Sequence, residues 1–168
     1  FAQDGLTQVL GQIELRGIGP YQFNDLSIVA SASIRHTDPN TIEVIGDWSN
    51  AGSFDGDVNT VAFVGTLEQS VGPTTFFGLR VDNSSGIALS GACSLGGALT
   101  LDNGLLSTNS TDLLTILHNG TATSGNATSY VDGPLRKVGN NAFVFPVGNN
   151  GTWRRIGING INDQDTEY

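Results

Sequence analysis

Short apolar–polar–apolar triplets separated by turn-forming residues constrain the fold of this sequence more than any other feature. In each triplet a polar or small residue stands between two apolar ones, which is the alternation of a β-strand with one buried face. Turn formers, such as Asp-Pro-Asn at 38–40 and Asp-Asn-Gly at 102–104, separate the triplets. Helical periodicity is nearly absent, so the pattern predicts an all-β protein. The clearest triplets are Ile13-Glu14-Leu15, Ile42-Glu43-Val44, Val61-Ala62-Phe63, Leu79-Arg80-Val81, Leu99-Thr100-Leu101 and Leu114-Thr115-Ile116.

The apolar residues also recur at long range, which indicates a stacked architecture. A displacement of 53 residues pairs apolar positions along much of the chain, Leu26 with Leu79 among them, while the polar residues between do not match. Within that spacing Leu26, Val44, Val61 and Leu79 are separated by 18, 17 and 18 residues. A parallel β-helix, or β-solenoid, with coils of about 18 residues would stack these four, and coils of about 26 are the alternative. A β-sandwich is the rival fold, because regularly spaced short strands also predict it.

The alternation and the repeat together predict which residues form the core of the stack. In a solenoid only inward positions are constrained by packing, so the recurring apolar residues should be buried. The predicted core residues are Leu26, Val44, Trp48, Val61, Phe63, Phe76, Leu79, Leu99, Leu101 and Ile116.

The charge balance divides the chain and restricts its partners. Residues 1–134 contain 13 acidic and 3 basic side chains, and residues 135–168 contain 3 and 4. We therefore expect a β-solenoid over 1–134 and a C-terminal β segment or cap over 135–168.

A net charge of −9 argues against binding nucleic acid, which requires a basic surface. No apolar run is long enough for membrane insertion. The absence of Met fits either secretion and processing, with Phe1 as the new N-terminus, or an excised fragment.

Three stretches in a fixed order resemble a known family. They are GDWSNAGSF at 46–54 with VAFVGTLEQSV at 61–71, TFFGLRVDNSSGIAL at 75–89 with GALTLDNGLL at 97–106, and SYVDGPLRK at 129–137 with FVFPVG at 143–148. This combination, within residues 40–158, resembles the repetitive stalk segments of adhesin-like surface proteins of the Bacteroidetes exported by the type IX secretion system. The resemblance implies a right-handed parallel β-helix on the outer cell surface. It also implies a long precursor in which a β-sandwich-like module follows the segment.

The side chains able to support catalysis or metal binding are few and scattered. Asp55 and Asp57 would share one face of a strand, either as an acid–base or cation-binding pair or as a solvated acidic turn, and we expect the turn. We expect His36 and His118 to lie on the surface, since two imidazoles alone rarely form a metal site. Cys93 has no basic neighbour, so we expect a buried structural thiol. We therefore predict no catalytic residue, no metal and no cofactor.

Two groups of residues are candidates for surface contacts. Phe77 follows the predicted core residue Phe76, so on a strand its side chain should point outward. Trp153 precedes Arg154 and Arg155, and arginine stacks on aromatic rings and binds carboxylates. A strand end carrying two charges is the simpler interpretation of the second group.

From these features we expect a non-enzymatic extracellular segment that acts as a stacked β-coil spacer or adhesion module. Its partners would be other surface-protein modules, copies of itself or extracellular glycans. One alternative is a filament subunit, if residues 1–10 and 154–168 leave the ends of the stack uncapped. Another is a polysaccharide-binding or polysaccharide-degrading β-helix.

Overall fold

The computed structural model describes residues 2–160, and over that range the chain forms 23 β-strands and no helix. The first strands are β1 (Ala2–Val9), β2 (Gln12–Leu15), β3 (Tyr21–Ile28), β4 (Ser33–His36), β5 (Thr41–Val44), β6 (Trp48–Asn50), β7 (Ser53–Asp55), β8 (Thr60–Phe63), β9 (Gln69–Val71), β10 (Thr75–Phe76), β11 (Gly78–Asp82) and β12 (Ile87–Leu89). The others are β13 (Cys93–Leu95), β14 (Ala98–Asn103), β15 (Leu106–Ser107), β16 (Leu114–Ile116), β17 (Thr121–Ala122), β18 (Val131–Asp132), β19 (Leu135–Lys137), β20 (Phe143–Phe145), β21 (Val147–Asn149), β22 (Thr152–Trp153) and β23 (Ile156–Ile158). None of the described segments is a helix of the kind that could span a membrane.

The strands wind into a parallel β-solenoid of about seven turns, which confirms the predicted fold and rules out the β-sandwich. Three faces run along the stack. Face 1 contains β5, β8, β11, β14 and β17, and face 2 contains β6, β9, β12, β15, β18 and β21. The long strand β3 belongs to both, because its residues 21–23 pair with β5 and its residues 26–28 pair with β6. Face 3 contains β2, β4 and β7, followed by β10, β13, β16 and β19.

The strand register corrects the predicted stacking series. Val61 pairs with Leu79, and Leu79 pairs with Leu99, as a coil of about 18–20 residues requires. Leu26 pairs instead with Trp48 on face 2, 22 residues away. Val44 also lies on face 1, but in a different stack of side chains from Val61 and Leu79. The four residues of the predicted series therefore belong to three separate stacks. The predicted stacking of Leu26, Val44, Val61 and Leu79 is therefore wrong.

The error has a physical cause in the variation of coil length. Stacked partners are 18 residues apart at β8 and β11, but 25 apart at β15 and β18. Most inward positions are apolar, so displacements that do not match the coils still align apolar residues with one another. The 53-residue displacement relates Leu26 on face 2 to Leu79 on face 1 and does not relate stacked positions. The division at 134/135 stays a prediction, and parallel pairing continues beyond it into β19 and β21.

The inward side chains form one continuous apolar core along the stack. All ten predicted core residues are buried, which confirms that prediction in full. Leu79, for example, is completely shielded from solvent between Val61 and Leu99. Burying a large aliphatic side chain stabilises a fold by about 1.5–3 kcal/mol, so each coil depends on its neighbours for most of its stability.

The two ends of the described stack differ. At the C-terminal end β20 pairs antiparallel with β23, and β21 pairs antiparallel with β22, so the chain turns back on itself there. At the N-terminal end β1 pairs only with β3 and β2 only with β4. Leu6 and Leu10 are exposed at this end. The two predicted capping segments are residues 1–10 and 154–168. Within them, Phe1 and residues 161–168 lie outside the described residues.

Candidate functional site

Face 3 is interrupted at one step of the stack. Strand β7 pairs with β4, and β10 pairs with β13, but β7 and β10 form no ladder with each other. At the same level the other two faces are continuous, because β5 pairs with β8 and β6 with β9. Two strand edges therefore face each other across a local gap, and a free edge presents backbone N–H and C=O groups.

The residues that flank the gap explain why the ladder stops there. Pro73 comes just before β10 and has no backbone N–H to donate. On the other side, Asp57 follows β7 with a positive φ of 48°, and its N–H donates to Oδ1 of Asp55 at 3.1 Å. This turn directs the chain away from the sheet directly after β7. Both strands are also short, with three residues in β7 and two in β10.

Four aromatic rings fill the core beneath the gap. The ring of Trp48 lies 5.0 Å from that of Phe54 and 5.7 Å from that of Phe76, centroid to centroid, and Phe63 completes the cluster. Trp48, Phe63 and Phe76 are buried, whereas Phe54 is half-buried and borders the gap. Tilted and edge-on ring pairs of this kind add to the stability that burial provides.

Thr74 connects this cluster to the gap. Its Oγ1 accepts hydrogen bonds from Nε1 of Trp48 at 2.8 Å and from Nδ2 of Asn50 at 3.2 Å. A hydroxyl oxygen has two lone pairs and one hydrogen, so these two bonds occupy its accepting capacity. Neither bond uses the hydroxyl hydrogen of Thr74.

The gap opens into a surface groove with two adjoining sections. The first has a volume of about 390 Å³ and no charged side chain in its lining, and the second has a volume of about 220 Å³ and an acidic end. Phe54 and Thr75 line both sections. The other main lining residues are Asn50, Ser53, Thr74 and Ser94 in the first section and Asp55, Asp57, Phe76 and Phe77 in the second.

Phe77 lies at the rim of this groove with 41% of its surface exposed, as the alternation predicted. Its ring rests on the two glycines that follow β13. A Cβ atom at Gly97 would lie 2.7 Å from a ring carbon of Phe77, whereas one at Gly96 would lie 3.9 Å away. Gly97 therefore lets the ring lie close against the backbone, which fixes its orientation.

The other candidate contact group lies elsewhere. Trp153 is half-buried on β22, in the antiparallel pair at the C-terminal end. The guanidinium of Arg155 lies over its ring at 5.8 Å, and the exposed Arg154 donates its backbone N–H to the carbonyl of Val147 at 2.8 Å. The structure does not bring this group together with Phe77.

The acidic residues after β7 form an exposed turn. Asp55 accepts the N–H of Asp57, and its Oδ2 lies 3.6 Å from Nε of Arg35 on the neighbouring strand β4. Within residues 2–160, no group of three or more His, Cys, Asp or Glu side chains is arranged to hold a metal ion. The geometry matches the solvated turn predicted for Asp55 and Asp57.

The predicted location of His36 is wrong. Its side chain is fully buried, its Nε2 lies 2.9 Å from Oδ1 of Asn40, and its ring packs edge-on against Tyr21. Desolvation by burial lowers the pKa of this imidazole. The cause is strand alternation, since His36 lies two residues after the inward Ile34. His118 is exposed, as predicted.

Two further buried groups lie on face 3. Cys93 is buried, as predicted, and desolvation raises the pKa of its thiol to about 11. Lys137, which the sequence did not single out, is also fully buried and stacks on Ile116. Its Nζ donates to the carbonyl oxygens of Leu117 at 2.9 Å and Val138 at 2.7 Å, and desolvation lowers its pKa.

Comparison of the chain with protein-family models, curated proteins and solved structures returned no match.

Proposed function

We propose that this chain is a structural segment of an extracellular surface protein, acting as a stacked β-coil spacer that also serves adhesion. The observation that supports this proposal is the continuous core, in which Leu79 stacks between Val61 and Leu99 of the neighbouring coils and is fully buried. Such a stack resists extension because parallel ladders and apolar burial hold each coil to its neighbours. The resemblance to stalk segments of surface adhesins points to the same role and location.

The dimensions of the fold suit a spacer. Neighbouring parallel strands lie about 4.7–4.9 Å apart, so about seven turns extend roughly 33 Å. The net charge of −9 disfavours non-specific association of such surfaces with one another. The segment would hold neighbouring modules of a surface protein at a fixed separation and present its three faces to the surroundings.

A pulling experiment tests the spacer role. The chain is placed between two handle domains of known unfolding force and stretched from both ends. We expect a distinct force peak, followed by a gain in contour length equal to that of the extended chain released when the stack unfolds. Leu79→Asp should remove the peak because it buries an unpaired charge, while Leu67→Asp, at a position 79% exposed, should retain it. Extension of the unmodified chain without any force peak would contradict the proposal.

A polysaccharide-binding role is a second candidate, and the groove between β7 and β10 favours it. The groove combines the exposed ring of Phe77 with hydroxyl groups such as those of Thr75 and Ser94. Aromatic surface together with a few convergent polar groups is typical of small-molecule sites. This candidate is compatible with a spacer, because the groove occupies one face only.

The filament alternative requires both ends of the stack to accept another copy. The antiparallel pairs β20–β23 and β21–β22 oppose head-to-tail growth at the C-terminal end. Sedimentation velocity over a concentration series tests this directly. We expect no species larger than a dimer, and a continuous increase in size with concentration would support the filament instead.

A further inference from the structure

We infer that the groove between β7 and β10 binds a segment of an uncharged glycan chain. This inference rests on the adhesive part of the proposed function, and it names the chemical class of the ligand. Three features of the groove support it: its aromatic surfaces, its hydrogen-bonding groups and its charge.

The aromatic surfaces lie at the rim and at one side of the groove. Phe77 is held against Gly97 with 41% of its surface exposed, and the half-buried ring of Phe54 borders both sections. Phe54 is fixed by the rings of Trp48 and Phe76 beneath it. Rings held in place by packing lose little entropy on binding, and they offer an apolar surface to the C–H faces of a sugar.

The hydrogen-bonding groups of the groove complement hydroxyl-rich ligands. The hydroxyl of Thr74 already accepts from Trp48 and Asn50, so its own hydrogen is available to a ligand oxygen. Thr75 and Ser94 add hydroxyls that both donate and accept. The free edges of β7 and β10 add backbone donors and acceptors. Sugar hydroxyls also both donate and accept, and they can satisfy all three kinds of group.

The charge of the groove selects against acidic glycans. The first section has no charged lining residue, and the second contains the carboxylates of Asp55 and Asp57. The nearby guanidinium of Arg35 is paired with Asp55 at 3.6 Å and with Glu14 at 4.0 Å. A uronic acid bound in the second section would bring its carboxylate near those of Asp55 and Asp57, and like charges at short range repel.

The buried Trp48 provides an intrinsic probe of binding. It is one of two tryptophans in the chain, so Trp153→Phe leaves Trp48 as the only indole. Its Nε1 is bonded to Thr74, a lining residue, and a ligand that contacts Thr74 should change the emission of Trp48. The Trp153→Phe protein is titrated separately with cellohexaose, xylohexaose, laminarihexaose and mannohexaose, and with hexagalacturonic acid as the acidic probe. Calorimetry accompanies each titration.

We expect at least one neutral hexasaccharide to bind and to shift the Trp48 emission, and hexagalacturonic acid not to bind. Phe77→Ala should weaken the binding about tenfold, because it removes the exposed aromatic surface at the rim of the groove; a factor of ten corresponds to about 1.4 kcal/mol. Thr75→Glu, which adds a charge at an exposed position of the groove, should weaken it similarly. Leu67→Ala, at an exposed position outside the groove, should leave it unchanged.

Three results would overturn the inference: no heat and no emission change with any of the four neutral sugars, binding that survives both Phe77→Ala and Thr75→Glu, or preferential binding of the acidic sugar. Thermal melts of each variant show whether the fold is retained, and Thr75→Glu tests the groove if Phe77→Ala does not fold. These outcomes do not affect the spacer role, because the pulling experiment uses no glycan.

Discussion

The indole Nε1 of Trp48 donates to the hydroxyl of Thr74 across 2.8 Å, and this bond connects strand β6 to the residue that precedes β10. The two residues stand 26 positions apart, on either side of the interrupted ladder. At other levels of face 3 a backbone ladder joins neighbouring coils, whereas at this level a side-chain hydrogen bond and an aromatic cluster join them. The contribution of the hydrogen bond to the free energy of unfolding can be measured separately from that of the apolar core.

Thr74→Val should destabilise the fold by about 1–3 kcal/mol, because it leaves the buried Nε1 of Trp48 without an acceptor. Thr75→Val is the matched control. Thr75 is the same residue type at the next position, but its side chain is exposed. Thr75→Val should therefore change the free energy of unfolding of the protein by less than about 0.5 kcal/mol. Urea unfolding followed by far-ultraviolet circular dichroism measures both. Equal effects of the two substitutions would show that the bond contributes nothing specific.

Gly97→Ala should destabilise the protein by about 1–3 kcal/mol, because the new Cβ would lie 2.7 Å from the ring of Phe77 and 2.8 Å from its carbonyl oxygen. The adjacent Gly96 provides the control, since a Cβ there makes an ordinary contact at 3.9 Å. Gly96→Ala should therefore be neutral or slightly stabilising. Thermal unfolding of the two variants is the measurement. A lower melting temperature for Gly96→Ala than for Gly97→Ala would refute the proposed position of the Phe77 ring against Gly97.

The buried imidazole of His36 should make stability depend on pH. Burial lowers the pKa of His36 below its ordinary value of 6.5, although Asn40 and the nearby Asp38 act in the opposite direction. Between 6.5 and the lowered pKa the unfolded chain binds more protons, so stability should decrease as the pH falls through that interval and level off below it. His36→Asn should reduce this slope, and His118→Asn, at an exposed position, should retain it. Urea midpoints measured from pH 8 to pH 4 provide the test.

Cys93 should be unreactive toward thiol reagents in the folded protein. Its side chain is buried, its Sγ lies 3.4 Å from the carbonyl oxygen of Gly72, and desolvation raises its pKa to about 11. The thiolate is the reactive form, so modification at pH 8 should require opening of the stack. Reaction with Ellman's reagent should be slow in buffer and fast in urea. Immediate reaction of the native protein would place Cys93 at the surface.

The sequence predicted the fold class and the core because both depend on local alternation. Ile42-Glu43-Val44 and Leu79-Arg80-Val81 each specify one inward face, and the structure buries their apolar residues. The same alternation assigns His36 and Lys137 to inward positions, since they follow Ile34 and Leu135 by two residues. The lack of partner ligands for a metal favours a surface position for His36, and no motif singles out Lys137, so the sequence prediction missed both inward side chains.

The groove could not be predicted in the same way, because it results from a missing interaction between distant residues. Asp55 and Thr75 belong to strands whose sequences are ordinary for a solenoid, and no local pattern records that β7 and β10 fail to pair. The alignment of coils failed for a related reason. Inward positions are chemically alike, so Leu26 matches Val44 as well as it matches its true partner Trp48.

The interruption of face 3 also affects how the molecule comes apart. Stability in a repeat array is approximately a sum of nearest-neighbour interfaces. The interface between the coil of β5–β7 and the coil of β8–β10 has two backbone ladders, whereas the interfaces directly before and after it have three. The array should therefore divide there into two cooperative blocks, one ending at β7 and one beginning at β8. Native-state hydrogen exchange would then report two levels of amide protection, with the step between Asp55 and Thr60.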